Sequence, residues 1–277
     1  MNALHRRVLF GPVTKHYERT RAAVGLAPLG LSFIDTLLGD YLYMQSTVPA
    51  FEYPRSDLPP HVHFIGPLLP EPNDDFMPPR WWPELAGSRR VVLLTQGTVA
   101  TGPDQLLAPA IRALAEEPVL VIATTGGPTT ALLEALGGAL PANVRVERFV
   151  PYAELMPHID LLITNGGYGT VQQALAYGVP IVVAGATEDK PENAARIAWS
   201  GVGVRIKAQS PEPARLLAAV RQALEQPRYR LRAQAIAAEM AGYDAARTAA
   251  DLLEQVAHTG QPVPGRARHL PMAPTRA

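Results

Sequence analysis

The apolar run from Ile159 to Thr164 stops abruptly at Asn165-Gly166-Gly167-Tyr168-Gly169-Thr170, and Val171 to Tyr177 then follows with helical spacing. A buried strand thus delivers the chain through a glycine-rich elbow into the first turn of a helix, a junction at home in open α/β sheets. Free N–H groups and aligned peptide dipoles favour a negative group at that end of a helix, and glycines let a phosphate approach the backbone. Thr170 adds a hydroxyl there. Glycines also serve a plain tight turn, so the elbow alone leaves both readings open. The next loop adds weight to the first: after the strand Val179 to Ala184 come Glu188-Asp189-Lys190-Pro191-Glu192-Asn193. In a parallel sheet that loop leaves the same edge, which sets groups able to bind hydroxyls beside a phosphate-type pocket.

The surrounding pattern is regular from Arg89 onward. Val91 to Thr95, Val119 to Thr124 and Val144 to Val150 read as strands, separated by helical patterns over Pro103 to Glu117 and Thr129 to Leu136. With the central stretch this makes six β-runs alternating with helices, which implies a doubly wound parallel sheet covered on both faces. Pro211 to Glu225, Arg228 to Met240 and Ala245 to Ala257 are amphipathic and read as helices. Residues 68 to 88 carry five prolines at positions 70, 72, 78, 79 and 83 and read as a stiff linker. Trp81 and Trp82 within it either anchor the linker on the domain surface or stack on a ligand, and anchoring is the expectation because buried aromatic area is large.

Whole-chain properties narrow the classes. With 25 basic and 25 acidic residues the chain offers no net charge for nucleic acid or an anionic membrane. The absence of cysteine excludes disulfides, thiolate metal sites and a cysteine nucleophile, and fits a reducing compartment. The N-terminal apolar patch is cut too short by Pro12 and Lys15 for a secretory signal. Leu161 to Thr187 is free of charged residues, but its glycines, glutamines and Pro180 break it into strand, turn, helix and strand rather than a membrane span. A cytoplasmic protein is expected.

The central stretch resembles the donor-binding signature of the GT-B glycosyltransferases that use UDP- or TDP-sugars, the group of plant secondary-metabolite and bacterial macrolide enzymes. The resemblance rests on Phe149-Val150-Pro151, Asn165 to Thr170, Gly178-Val179-Pro180, and Asp189-Lys190 with Asn193, in matching order and spacing. It implies a Rossmann-like C-terminal half of a GT-B fold and inverting transfer of a sugar from a UDP- or TDP-sugar to a small-molecule acceptor, with no metal or other cofactor. Phe149 would stack on the base and main-chain groups of Val150 would read its edge. Asn165, Gly167, Gly169 and Thr170 would hold the diphosphate, with Gly97 and Thr98 beside it. Gln173 would meet the ribose, and Asp189 and Lys190 the sugar. Three positions depart from the family: its diphosphate histidine is Asn165, its ribose glutamate is Gln173, and its glutamine after the sugar-binding aspartate is Lys190. Asn and Gln still hydrogen-bond such groups. Lys190 either favours an anionic sugar or pairs locally with Glu188, and the local pair is the expectation.

The same resemblance divides the chain into a remnant of the acceptor domain at 1 to 67, the linker at 68 to 88, a nucleotide-sugar donor domain at 89 to 257 and a disordered tail at 258 to 277. Tyr43 to Phe51 and His61 to Pro67 read as strands of the remnant. No catalytic residue is assigned, because the family's general base lies in a part of the acceptor domain that this chain does not resemble, and His5 and His16 stand in the wrong context. A truncated enzyme, completed by a partner chain supplying the acceptor domain, is therefore expected; the alternatives are a non-catalytic nucleotide-sugar-binding subunit and, less favoured, a dinucleotide-binding oxidoreductase module. The last has Gly167-x-Gly169 and a later acid, but Gln172 stands where a third glycine is needed. Thr124-Thr125-Gly126 leaves the same edge and is expected to be a turn only.

Overall fold

The computed structural model describes residues 8–97 and 102–265, which pack as two compact units. The larger comprises the described residues of Ser46–Arg55 and Ile65–Ala245, and the smaller those up to Gln45, of Ser56–Phe64 and from Ala246 to residue 265. Thr98 lies outside the described residues.

The larger unit is an open six-stranded sheet. Its strands are β3 (Arg90–Thr95), β4 (Val119–Thr124), β5 (Val144–Glu147), β6 (Leu161–Thr164), β7 (Ile181–Ala184) and β8 (Gly203–Ile206), in the spatial order β5-β4-β3-β6-β7-β8. Every pairing is parallel. The chain runs outward from β3 to one edge and then returns to the centre to build the other half. That reversal leaves a crevice beyond the ends of β3 and β6, the position where open α/β sheets bind ligands. Connecting helices are α2 (Leu107–Leu114), α3 (Thr129–Ala135), α4 (Tyr152–Leu155), α5 (Tyr168–Ala176) and α6 (Lys190–Ser200), followed by α7 (Pro213–Glu225) and α8 (Pro227–Met240).

The period-two rule of strands explains why helices cover both faces. Val91 and Leu93 enter a core shared with Val171 and Leu175 of α5, Ile197 of α6 and Ile236 of α8. Val92 and Leu94 enter the opposite core, with Ile111 and Leu114 of α2 and Leu216 and Val220 of α7. Strands buried on both sides require near-continuous apolar sequence, which is what VVLL and LLI provide. β5 is shorter than its apolar run suggested, ending at Glu147, and α2 is confined to Leu107–Leu114. The uncharged stretch 161 to 187 divides into β6, elbow, α5 and β7 as read from its glycines, and among the described residues no helix is long and apolar enough to cross a membrane.

The smaller unit has a helix, α1 (Gly11–Ala23), absent from the sequence reading, and a parallel pair β1 (Tyr43–Gln45) and β2 (Val62–Phe64). The segment expected as a strand to Phe51 is a paired strand only to Gln45 and turns as a 3-10 helix at Pro49–Phe51. α1 buries no residue, and Val8, Leu9, Val24, Leu26 and Leu31 are exposed. The chain returns to this unit with α9 (Ala245–Thr259), beyond which the Val263 N–H donates to Tyr41 O at 3.0 Å. His258 and Thr259, assigned to the tail, are the end of α9.

Candidate functional site

Three threonines lie in one row across the carboxyl edge of the sheet, because the register pairs Thr95 with Thr124 on one side and with Thr164 on the other. Two of them shape glycine loops in the same way: the Thr95 hydroxyl accepts from Gly97 N–H and the Thr164 hydroxyl from Gly166 N–H, each at 3.3 Å. Both glycines have positive φ, 81° and 98°, which an L side chain rarely adopts. The two loops are fastened together by Asn165, whose Nδ2 donates to Gln96 O while its Oδ1 accepts from Gly167 N–H. Asn165 is buried. The residue standing at the family's diphosphate histidine thus spends hydrogen-bonding capacity on holding the elbow in shape.

The elbow opens α5. Among the described residues the N–H groups of Gly169 and Thr170 find no acceptor, as expected for the first turn of a helix. A β-carbon built on Gly169 would meet nothing within 4 Å, and its φ is not positive. Neither backbone conformation nor packing requires glycine at this position, and the space left open lies over the helix N-terminus. Gly185 contrasts with it, since a β-carbon there would fall 2.1 Å from Asn165 O. Gly185 is glycine for close packing of the two loops.

The following loop is strapped to the elbow. The buried Asn193 amide Nδ2 donates to Gly166 O at 2.9 Å and to Asp189 Oδ2 at 2.8 Å. One nitrogen therefore holds the exposed Asp189 carboxylate on the elbow's own rim. Lys190 is 6 % exposed and its ammonium pairs with the Glu188 carboxylate, the local pairing expected from the sequence. Glu188 has a φ of 58°, the non-glycine residue with positive φ among those described. Such a conformation costs roughly 1 kcal/mol or more and persists where surrounding contacts impose it.

A cavity of about 440 Å³ lies on the β3–β4–β5 side of this elbow. Of the residues named from the sequence, Gly97, Phe149, Thr170 and Gln173 line it. Phe149 is 73 % exposed and so is not a core aromatic. Val150 is buried, yet among the described residues its N–H and C=O form no hydrogen bond, leaving an unpaired main-chain edge next to that ring. Gln173 Nε2 reaches back to Gly169 O at 3.4 Å. Asn165, Gly167, Gly169, Asp189 and Lys190 are not in the lining; they form the elbow and loop beside it.

Other lining residues were not assigned from the sequence. Thr124 and Gly126, taken for a turn, belong to the wall, as do Arg148 and Tyr152. The turn is held there by an extension of the ladder, with Thr125 N–H donating to Glu147 O and Gly126 N–H to Arg148 O, both at 3.0 Å. Tyr152 OH lies 2.9 Å from the Thr124 hydroxyl, and burial pushes its phenol pKa up, so it stays a neutral donor and acceptor. Strand-end position was the available signal for Thr124 and Gly126. Among the described residues no group of acidic or histidine side chains is arranged to hold a metal ion.

A doubly wound parallel sheet with a glycine elbow at its switch point, a strapped carboxylate on the same rim and an aromatic-lined cavity beside it is the architecture of the C-terminal half of a GT-B glycosyltransferase. Residues 119–256 match the family model described as erythromycin biosynthesis protein CIII-like, C-terminal domain. The chain is 48 % identical over 255 residues to 4'-demethylrebeccamycin synthase of Lentzea aerocolonigenes, which covers 92 % of the chain and 59 % of that protein. It is 34 % identical over 251 residues to UDP-glycosyltransferase 2 of Phaeomoniella chlamydospora, covering 87 % of the chain and 54 % of that protein. Among solved structures it resembles the glycosyltransferase SnogD from Streptomyces nogalater, with a TM-score of 0.64, 28 % identity and coverage of 87 % and 60 %. It also resembles the glycosyltransferase VinC in complex with DTDP, with a TM-score of 0.65, 26 % identity and coverage of 89 % and 59 %. The chain spans somewhat more than half the length of these relatives.

Proposed function

We propose that the chain supplies the donor site of a cytoplasmic glycosyltransferase that moves a sugar from a UDP- or TDP-sugar to a small-molecule acceptor with inversion. The observation that carries this reading is the pair of hydrogen bonds that Asn193 Nδ2 donates to Gly166 O and Asp189 Oδ2, which keeps the glycine elbow and the Asp189 carboxylate on one rim. The relatives' names point to the same chemistry, and the cysteine-free composition suits a reducing compartment.

Departure of the nucleotide places growing charge on the diphosphate. The Gly169 and Thr170 N–H groups, the Thr170 hydroxyl and the α5 dipole are preset to receive it, so this site needs no metal ion to do so. Loss of one such donor typically raises a barrier by about 3 to 4 kcal/mol. Asp189 accepts from sugar hydroxyls and orients the anomeric carbon toward the acceptor. Phe149 stacks on the base beside the Val150 main chain, and Gln173 meets the ribose. Proton removal from the acceptor needs a general base, which comes with the acceptor-binding half, in a partner chain or another segment.

Calorimetry with UDP and with TDP, and a transfer assay with and without candidate partner chains, tests the proposal. Nucleotide binding, with EDTA-insensitive transfer once the acceptor half is present, is expected. Failure to bind either nucleotide refutes it. Binding without transfer in every pairing leaves the chain a nucleotide-sugar-binding subunit.

A further inference from the structure

The proline-rich segment between residues 68 and 88 is more than a connection. Pro70, Glu71 and Asn73 line the same cavity as Phe149 and Arg148, although they lie more than seventy residues earlier in the chain. The segment is held against β5 from two positions on one face of that strand, since residues two apart point the same way. Trp81 Nε1 donates to Glu147 Oε1 at 2.8 Å, and Arg145 forms a forked pair with Glu84 at 2.7 and 2.8 Å. Trp82 packs edge-on against Phe76 and His158, with ring centroids 5.1 and 5.9 Å apart. Phe76, Trp81 and Trp82 all lie against the core. Glu147 stands two residues before Phe149, so the bond that fixes the linker also fixes the approach to that ring.

The chemistry of this wall differs from that of the elbow. Asn73 Oδ1 accepts from Asp75 N–H at 3.1 Å, which turns the amide so that its Nδ2 hydrogens, with no acceptor among the described residues, remain available. They match carbonyl oxygens such as those of uracil or thymine, while the Glu71 carboxylate matches a ring N–H or a ribose hydroxyl. Neither residue lies on the elbow that would take the diphosphate.

We propose that the segment from Pro70 to Asn73 is a wall of the nucleoside end of the donor site and selects the base, with Trp81 a positioning residue that holds the wall through Glu147. This inference rests on the donor-site reading above. It is tested by calorimetry on the wild-type chain, Asn73→Ala and Trp81→Phe, each with UDP, TDP, GDP and inorganic pyrophosphate. Asn73 is exposed, so its replacement leaves folding intact, and phenylalanine keeps the ring at 81 while removing the N–H. UDP affinity is expected to fall about threefold to tenfold in both variants, as for loss of one hydrogen bond, with pyrophosphate binding unchanged and the preference for UDP over GDP reduced. An equal loss for UDP and pyrophosphate, or no change in the UDP-to-GDP ratio for Asn73→Ala, overturns the proposal while leaving the donor reading intact. A wild-type chain that binds pyrophosphate but neither UDP nor TDP overturns both.

Discussion

Gly169→Ala separates two meanings of a glycine, because stability and binding are expected to move in opposite directions. The position is exposed, lies in the first turn of α5, has no positive φ, and a β-carbon there touches nothing within 4 Å. Alanine restricts the unfolded chain and suits a helix better, so the variant should be more stable by up to about 1 kcal/mol. In a unit of this size that raises the melting temperature by roughly 2 to 4 °C. The same methyl occupies the space over the free N–H groups of Gly169 and Thr170. A phosphate pushed away from them loses at least one charge-assisted hydrogen bond, worth about 1.5 to 3 kcal/mol. At 1.4 kcal/mol per decade, UDP affinity should fall by roughly 10-fold to 100-fold. Thermal melting followed by calorimetry with UDP reads both quantities on one sample. Unchanged affinity means that no phosphate sits at this elbow, and a marked loss of stability means that the glycine serves packing after all.

Asn193→Ala should cost about 1 to 3 kcal/mol in a denaturant titration, because it leaves the Gly166 carbonyl without its buried partner, and it should weaken UDP-sugar binding more than UDP binding by freeing Asp189. Asp189→Ala should leave UDP affinity within about threefold, a single hydrogen bond or less, and abolish transfer measured with the completed enzyme. Glu188→Gln strips the charged partner from the buried Lys190 ammonium and is expected to destabilise the α6 start, read as faster amide exchange there. Glu84 is held below the usual carboxylate range first by its hydrogen bond with Arg145. A folded-state pKa below the unfolded value gives stability that is present above about pH 4.5 and lost as pH falls through the folded value. Wild type should accordingly lose its advantage over Glu84→Gln on acidification, and a constant difference between pH 7 and pH 3 would count against the pair.

The linear order of the residues determined the architecture and the elbow. Alternation of apolar runs with amphipathic helices leaves little besides a parallel sheet covered on both faces, and Asn165 to Thr170 follows such a run directly. Local chemistry sufficed because strand, glycine turn and helix start are contiguous. Asp189 and Asn193 were legible for the same reason, since the sheet edge on which they emerge follows from strand direction alone. Only the tertiary structure decided what Asn165 does, because its partner Gln96 is a neighbour through the pairing of β3 with β6, not through sequence. It likewise decided that Phe149 stands exposed, that Thr124 and Gly126 form a wall, and that a segment near residue 70 closes the cavity. Periodicity records which side of its own element a residue occupies. It carries no record of the strand order, and the strand order brings distant loops to one rim.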